Sequence, residues 1–255
     1  MSLATVKHVF LDFDRVINDD QRMNREAGRL MAERMSREHG GSAERWLEAV
    51  QMAYVTATGW AGSSALRERD VPQWLREYDR VWLEELFRSG GLEVPSEGGA
   101  ELGWQIREEA YRNVGSIYPE APRALALLKG NAGRVNGATA DRSRMLYVAS
   151  GGRRARLDAM LRVAGLRHFF SELFGCDTVN IVKESAEYYQ RIFRRLALPP
   201  GGCVVVDDNP HCISFAQEAG ARAILLDRTG SARADWTASP VASDLTEVAR
   251  QLMNA

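Results

Sequence analysis

Two aspartates, Asp12 and Asp14, stand one residue apart directly after the apolar residues Val9, Phe10 and Leu11. Such an apolar run is typical of a strand that is buried on both faces of a parallel sheet. The loop after such a strand opens into the crevice where parallel sheets bind ligands. Two carboxylates this close repel each other unless a cation lies between them or one of them holds a proton. The pair therefore indicates metal or acid–base chemistry, although an ordinary turn after the strand would also account for it.

Polar residues also follow two later apolar runs, and one lysine precedes a later helix: Ser150 and Gly151 after 145–149, Asp207 and Asp208 after 203–206, and Lys183. Because the carboxyl ends of parallel strands meet at one edge of a sheet, these groups can converge on Asp12. Carboxylates are suitable ligands for Mg²⁺, which commonly bridges to a substrate phosphate. Hydroxyl, ammonium and backbone N–H groups suit the phosphate oxygens. The set predicts a site for Mg²⁺ and a phosphorylated ligand.

Each member of this set also has a plainer structural explanation. Ser150 could cap the helix that follows Gly152, and Asp207 or Asp208 could cap a helix that begins at Pro210. Lys183 could be an ordinary surface lysine, although the chain contains only two others, Lys7 and Lys129. Each explanation is reasonable separately, but one shared site accounts for all of the residues together.

Composition limits the class of protein. The chain has 255 residues, of which 45% are hydrophobic and 26% are charged, as in a soluble globular protein. A net charge of −1 gives no reason to expect a nucleic-acid partner. No run approaches the roughly 18 apolar residues of a membrane span, and no signal peptide is evident. Three cysteines without a CxxC spacing argue against disulfides and zinc, so we expect a cytoplasmic protein. Nothing in the composition indicates an oligomeric state.

The apolar patterns predict an α/β fold with a Rossmann-like, doubly wound parallel sheet, whose strands are expected at 9–11, 145–149, 173–176, 203–206 and 223–226. After the first strand the pattern is helical for roughly a hundred residues. We therefore predict a core domain of residues 1–19 and 116–255, with an inserted all-helical domain of residues 20–115. Residues 130–144 are expected to form a surface loop without an assigned role.

Helix starts within the insertion are expected at Ser42, at Asp70 with Pro72, and at Ser96. Five of the six tryptophans fall in this segment, where helical spacing favours a packed core over a ligand site. Trp60, beside Gly59 in an expected loop, is the one tryptophan that we would keep as a ligand contact.

Four segments in this order resemble the motifs of the haloacid dehalogenase superfamily of Mg²⁺-dependent phosphohydrolases: Phe10-Leu11-Asp12-Phe13-Asp14, Val148-Ala149-Ser150, Lys183, and Val204-Val205-Val206-Asp207-Asp208. The resemblance covers residues 6–20 and 118–227, and the helical insertion stands where that family has its helical cap domain. It implies a hydrolase that acts on phosphoric ester bonds of a small phosphorylated metabolite.

The resemblance also implies a role for each matched residue. Asp12 would be the nucleophile that forms an aspartyl-phosphate, and Asp14 would act as general acid and then as general base. Mg²⁺ would be held by Asp12, the backbone carbonyl of Asp14 and Asp208, with help from Asp207. The phosphate would be bound by Ser150, Gly151 and Lys183.

Departures from the family pattern keep alternatives open. The family usually has glycine after the second aspartate, where this chain has Arg15, which could crowd the loop or bind a substrate anion. Asp14 argues against dehalogenase chemistry, because those members lack the second aspartate. The absence of lysine between Lys7 and Lys129 argues against the phosphonate-cleaving members. Two alternatives remain. One is a sugar-phosphate mutase resembling β-phosphoglucomutase, and the other is a non-catalytic scaffold in which Arg15 blocks the phosphate pocket.

Overall fold

A computed structural model describes residues 6–130, 143–231 and 238–254. The chain divides into two compact units, Met1–Asp19 with Ile117–Ala255, and Asp20–Ser116. Most of the surface loop expected at 130–144 lies outside the described residues. Within them, no helix combines the length and apolar character needed to cross a membrane.

The first unit contains a sheet of six parallel strands in the described part of the chain. The strands are β1 (His8–Leu11), β2 (Met145–Ala149), β3 (Phe170–Phe174), β4 (Cys203–Asp207), β5 (Arg222–Leu226) and β6 (Val241–Ala242), and their order is β3-β2-β1-β4-β5-β6. This arrangement confirms the predicted Rossmann-like α/β fold. The predicted strand 173–176 is shifted, since β3 ends at Phe174 and Cys176 already belongs to a helix. The two-residue strand β6 was not predicted, because so short a segment carries no periodicity.

The helical unit contains α1 (Asp20–His39), α2 (Ala43–Ser63), α3 (Leu66–Arg69), α4 (Val71–Gly90) and α5 (Gly99–Arg112). Two predicted helix starts are confirmed, because the Ser42 hydroxyl accepts a hydrogen bond from Arg45 N and Asp70 accepts one from Gln73 N. The prediction for Ser96 was wrong. The fourth long helix begins at Gly99, after Gly98 in the left-handed region with φ 71°.

Trp60 lies in the last turn of α2, so its predicted loop position was also wrong. The buried residues Ala57 and Ala61 continue the apolar face of the helix past Gly59. Packing of that face offsets the roughly 1 kcal/mol that glycine costs in a helix interior. The helical position removes the reason for treating Trp60 as a ligand contact.

The remaining helices of the first unit flank the sheet and are α6 (Ala121–Leu128), α7 (Arg154–Val163), α8 (Cys176–Val179), α9 (Ala186–Leu196), α10 (Pro210–Glu218) and α11 (Leu245–Asn254), with 3₁₀ turns at Arg167–Phe169 and Pro200–Gly202. Asp244 caps α11 as predicted, since its carboxylate accepts a hydrogen bond from Glu247 N at 2.8 Å. These helices cover the apolar strands, which is the arrangement that buries both faces of a parallel sheet.

The central strand β1 sets the position of the site. Leu11, its last residue, is paired with Val148 of β2 on one side and with Val206 of β4 on the other. Phe10 is fully buried, and its ring stacks on Tyr147 with the ring centroids 4.6 Å apart. Because β2, β1 and β4 are parallel and in register, their carboxyl ends lie along one edge of the sheet.

Two segments connect this unit with the helical insertion, and they run side by side. Tyr118 N donates a hydrogen bond to the carbonyl of Ile17 at 3.0 Å, and Asn18 forms an antiparallel bridge with Ile117. The chain thus leaves and re-enters the first unit at neighbouring points.

Candidate active site

A cavity of about 590 Å³ opens at the carboxyl edge of β1, β2 and β4, within the first unit. Its volume lies in the usual range for sites that bind small molecules. Its lining includes all of the site residues predicted from the sequence: Asp12, Asp14, Arg15, Ser150, Gly151, Lys183, Asp207 and Asp208. The structure therefore brings these residues together.

Lys183 lies between two carboxylates at the floor of the cavity. Its Nζ is 2.9 Å from Asp12 Oδ1 and 2.6 Å from Asp207 Oδ2, and its side chain is only 7% exposed. Burial disfavours the ammonium, but Asp12 and Asp207 outweigh this effect, and the pKa of Lys183 lies well above its usual value. Lys183 is therefore a buried cation, and the surface-lysine explanation was wrong.

Asp12 is held in a partly desolvated position. Burial raises the pKa of Asp12 to about 7, with Lys183 acting in the opposite direction and the nearby Asp207 and Asp14 adding to the increase. Such a carboxylate is poorly stabilised as an anion by the protein alone. A further cation beside it would favour the ionised form that a nucleophile needs.

Three carboxylates form a group that suits a metal ion. One oxygen each from Asp12, Asp207 and Asp208 lies within 4.8 Å of the others. Burial raises the pKa of Asp208, the neighbouring Asp207 adds to the increase, and Arg15 opposes it. This all-oxygen donor set fits Mg²⁺. Lys183 pairs with both Asp12 and Asp207, but Asp207 is almost fully buried and also accepts a hydrogen bond from Tyr189 Oη at 3.4 Å. Asp12 and Asp208 are therefore the carboxylates more available to a metal.

Both oxygens of the Asp14 carboxylate are held by other side chains. Asn18 Nδ2 donates a hydrogen bond to Oδ1 at 2.9 Å, and the Arg156 guanidinium contacts Oδ2. Arg156 lies in the first turn of α7 and also lines the cavity. Sequence reasoning missed this residue. The sequence did contain one signal for it, since Arg156 lies in the first turn of the helix that was predicted after Ser150.

Ser150 lies between β2 and α7 and does not cap the helix. The N-cap of α7 is Arg153, so the capping explanation for Ser150 was wrong. The Ser150 hydroxyl accepts a hydrogen bond from Gly152 N at 3.2 Å, and its carbonyl accepts one from Tyr188 Oη at 2.9 Å. These contacts hold the turn that brings Gly151 to the cavity.

The aspartates at the end of β4, Asp207 and Asp208, also do not cap the following helix. Asn209 is the N-cap of α10, and its side chain accepts a hydrogen bond from His211 N at 2.9 Å. Asp207 Oδ1 instead accepts one from Asn209 N at 3.0 Å, which fixes the turn. Asp207 and Asp208 are thus left facing the cavity.

Arg15 adopts a left-handed backbone conformation with φ 59°. This conformation costs a residue with a Cβ atom about 1–2 kcal/mol, which explains why glycine suits the position. The Arg15 side chain is 57% exposed, and its Nη1 is 3.5 Å from Asp208 Oδ2. The guanidinium therefore lies at the mouth of the cavity beside Asp208 and remains largely open to solvent.

Arg228, a second residue that sequence reasoning missed, holds the loop after Asp14. Its Nε and Nη2 donate hydrogen bonds to the carbonyls of Arg15 and Val16, both at 2.8 Å. Its guanidinium also pairs with Glu120 at 2.7 Å and lies 3.5 Å from the centroid of the Tyr118 ring. Arg228, which lies just after β5, therefore holds the loop that carries Asp14 and Arg15 in place.

Solved structures with the same fold include hydrolases of different kinds. YfnB of Bacillus subtilis, described as a HAD-hydrolase and bound to magnesium, is 17% identical with a TM-score of 0.68, over 98% of this chain and 99% of that one. A 2-haloacid dehalogenase from Pseudomonas syringae is 19% identical with a TM-score of 0.70, over 98% and 99%. A HAD phosphatase from Thermococcus onnurineus is 20% identical with a TM-score of 0.62, over 97% and 98%. At these identities the likeness establishes the fold alone.

Comparison with curated proteins yields no match. A family model for haloacid dehalogenase-like hydrolases, in contrast, matches residues 6–220. The matched segment runs from β1 through α10 and contains every cavity residue described above. With its Asp-x-Asp strand end, its buried lysine and its acidic pair placed around one cavity, the chain belongs to the haloacid dehalogenase-like hydrolase family.

Proposed function

We propose that this protein is a Mg²⁺-dependent phosphohydrolase that acts on small phosphorylated metabolites. The observation that supports this most is the second carboxylate, Asp14, which lines the same cavity as Asp12 and is held on both oxygens. Cleavage of a phosphate ester needs a group that can donate a proton to the leaving oxygen, and Asp14 is suited to that task.

In the first step Asp12 attacks phosphorus. A bond forms between its carboxylate oxygen and phosphorus, and the bond from phosphorus to the ester oxygen breaks. The leaving oxygen takes a proton from Asp14, which produces the free alcohol and an aspartyl-phosphate. In the second step Asp14 takes a proton from water, which attacks phosphorus and releases phosphate and the free carboxylate of Asp12.

Other groups around the cavity would bind the phosphoryl oxygens and the metal. Lys183, Ser150 and the backbone N–H of Gly151 are the proposed phosphate ligands. Mg²⁺ would be held by Asp12, Asp208 and the backbone carbonyl of Asp14, near Asp207. When bound, it would reduce the repulsion between the anionic nucleophile and the phosphate. The helical unit is the proposed cap domain.

The position of Arg15 favours the enzyme over a scaffold. The hypothesis of a non-catalytic scaffold requires the guanidinium of Arg15 to block the phosphate pocket over Asp12. Arg15 instead lies beside Asp208 with more than half of its side chain exposed. A sugar-phosphate mutase would use the same two aspartates, so the experiment must separate net hydrolysis from transfer.

The test is phosphate release from a panel of phosphorylated metabolites and p-nitrophenyl phosphate, with Mg²⁺ and with EDTA. We expect release that requires Mg²⁺, and a loss of about 10²–10⁴-fold for Asp14→Asn. Asp12→Asn should have no measurable turnover, because no nucleophile remains. The matched control is Glu33→Gln, at a partly exposed position of α1 outside the cavity lining, and it should retain the wild-type rate.

Three results would contradict the proposal. Turnover that survives in Asp12→Asn would exclude the aspartyl-phosphate route. Interconversion of two sugar phosphates without net phosphate release would establish the mutase alternative. Chloride release from 2-chloropropionate, with no phosphate release from any ester, would identify a dehalogenase.

A further inference from the structure

Arg15 differs from the other two cations of the cavity in how it is held. Lys183 is buried between Asp12 and Asp207, and the Arg156 side chain, 15% exposed, contacts Asp14. Arg15 is 57% exposed, and its contact with Asp208 is longer, at 3.5 Å. Of these three cations, Arg15 is the one that a ligand entering from solvent reaches first.

The backbone of Arg15 is fixed although its side chain is exposed. Its N–H donates a hydrogen bond to the Asn18 carbonyl at 2.7 Å, and its own carbonyl accepts one from Arg228 at 2.8 Å. These contacts hold the residue in the left-handed conformation that glycine would adopt without strain. A strained residue that the surrounding structure holds in place at a binding cavity indicates a function for its side chain.

We infer that Arg15 is a specificity-determining residue that binds a second anionic group of the substrate, beyond the phosphate that reacts. This inference rests on the proposed phosphohydrolase function and narrows its substrate class to phosphorylated metabolites that also carry a carboxylate or a further phosphate. A guanidinium is suited to both groups, because its parallel N–H donors match two oxygens of either one.

With a divalent cation bound, the charges around the cavity agree with this assignment. Its lining carries four carboxylates, Asp12, Asp14, Asp207 and Asp208, against Lys183, Arg156 and Arg15. A divalent cation at Asp12 and Asp208 would weaken the attraction between Asp208 and Arg15. The guanidinium, more than half exposed at the mouth, would then attract an anion there, while the reacting phosphate occupies the floor beside Lys183.

Binding of two phosphonates that cannot be hydrolysed tests this assignment without turnover. 3-Phosphonopropionate and propylphosphonate have the same length, and only the first ends in a carboxylate. Calorimetric titration into the Mg²⁺-loaded protein should give a Kd about tenfold or more lower for 3-phosphonopropionate, the size expected for one charge-assisted pair. In Arg15→Gly the two Kd values should differ by less than about threefold.

Two further variants make the test specific. Arg15→Asn removes the guanidinium but tolerates the left-handed backbone, so it replaces Arg15→Gly if that variant does not fold. Arg162→Gln removes an exposed arginine of α7 that is absent from the cavity lining, and it should keep the wild-type preference.

Equal affinities in the wild-type protein, or a preference that persists in both Arg15 variants, would overturn the inference. So would a failure of 3-phosphonopropionate to bind. The proposed function fails by a different measurement. If no phosphate ester is hydrolysed while the Arg15-dependent preference remains, the phosphohydrolase is excluded and the anion-binding role of Arg15 is supported.

Discussion

The guanidinium of Arg156, at the start of α7, contacts the carboxylate of Asp14, in the loop after β1. Asn18 holds the other oxygen of the same carboxylate. The group proposed to transfer protons is thus oriented by side chains on both sides. Arg156 acts through Asp14 and is a positioning residue for it.

Removing this contact should slow turnover. We expect Arg156→Gln to lower kcat by about 10–100-fold, because a carboxylate displaced by about 1 Å transfers protons poorly. The change in KM should be smaller, and Arg156→Lys should recover part of the loss because it restores the cation. Steady-state kinetics on the best substrate of the panel measures both constants. An unchanged kcat in Arg156→Gln, with Arg162→Gln as the matched control, would contradict the positioning role.

Lys183 should be needed for stability as well as for chemistry. Lys183→Met leaves the buried carboxylates of Asp12 and Asp207 close together without their cation. We expect the free energy of unfolding at pH 8 to fall by about 3–5 kcal/mol, the usual cost of breaking a buried ion pair. Urea unfolding followed by circular dichroism measures it. The double variant Lys183→Met/Asp207→Asn should recover part of the loss, and equal stability of wild type and Lys183→Met would disprove the prediction.

Stabilisation by Mg²⁺ should increase with pH. Burial raises the pKa of Asp12 to about 7, so protons compete with the metal for this carboxylate below that pH. We expect the affinity of the protein for Mg²⁺ to fall about tenfold for each pH unit below 7. Mg²⁺ should therefore raise the Tm less at low pH. Thermal unfolding at pH 6 and pH 8, with and without Mg²⁺, measures the effect. A Mg²⁺-dependent shift that is the same at both pH values, or that keeps its pH dependence in Asp12→Asn, would contradict this assignment.

In the metal-free protein, the raised pKa of Asp12 should make the free energy of unfolding depend on pH. The folded chain holds the Asp12 proton more tightly than the unfolded chain does. The resulting stability is fully present below the unfolded pKa of about 3.9 and is lost as the pH rises to about 7. Because Asp12→Asn has no proton to lose, the difference in stability between wild type and this variant should change across that window.

Two alanines at helix ends give a test of backbone conformation. Ala197 ends α9 in the left-handed region with φ 52°, whereas Ala164 ends α7 with φ −73°. We expect Ala197→Gly to stabilise the protein by about 0.5–1 kcal/mol, because glycine adopts the left-handed conformation without strain. Ala164→Gly should destabilise it by about the same amount, because glycine gains flexibility only in the unfolded chain. Urea unfolding compares the two, and the same sign for both would contradict the explanation.

Five of the six strands and the residues around the edge of the sheet could be predicted from the sequence, with β3 displaced, because apolar runs and the polar residues after them are local signals. Asp12 and Ser150 directly follow β1 and β2, and Asp207 is the last residue of β4, so parallel pairing alone brings them together. The helix starts at Ser42 and Asp70 were predictable for the same reason, since a cap and its helix are adjacent in sequence.

What the sequence did not reveal depends on contacts between distant segments. Arg156 reaches the carboxylate of Asp14 from helix α7, and Arg228 reaches the next two residues from the loop after β5. The position of Arg156 in the helix after Ser150 was visible in the sequence, but the direction of neither side chain was. The start of α5 was misplaced because the left-handed backbone of Gly98 outweighs the capping tendency of Ser96. Local sequence signals therefore placed the candidate residues at one edge of the sheet, but tertiary contacts determine how Asp14 and Arg15 are held.

The pairing of the segments at Ile17 and Tyr118 allows the helical insertion to be exchanged without disturbing the sheet. Because the chain leaves and re-enters the first unit between hydrogen-bonded neighbours, a short turn could close the same gap, and so could an insertion of another length. The helical insertion is thus a replaceable module. Exchange of this module would leave β1 and the contacts of Arg228 intact, so the sheet edge that carries Asp12 and Asp14 and the helical insertion can be altered independently.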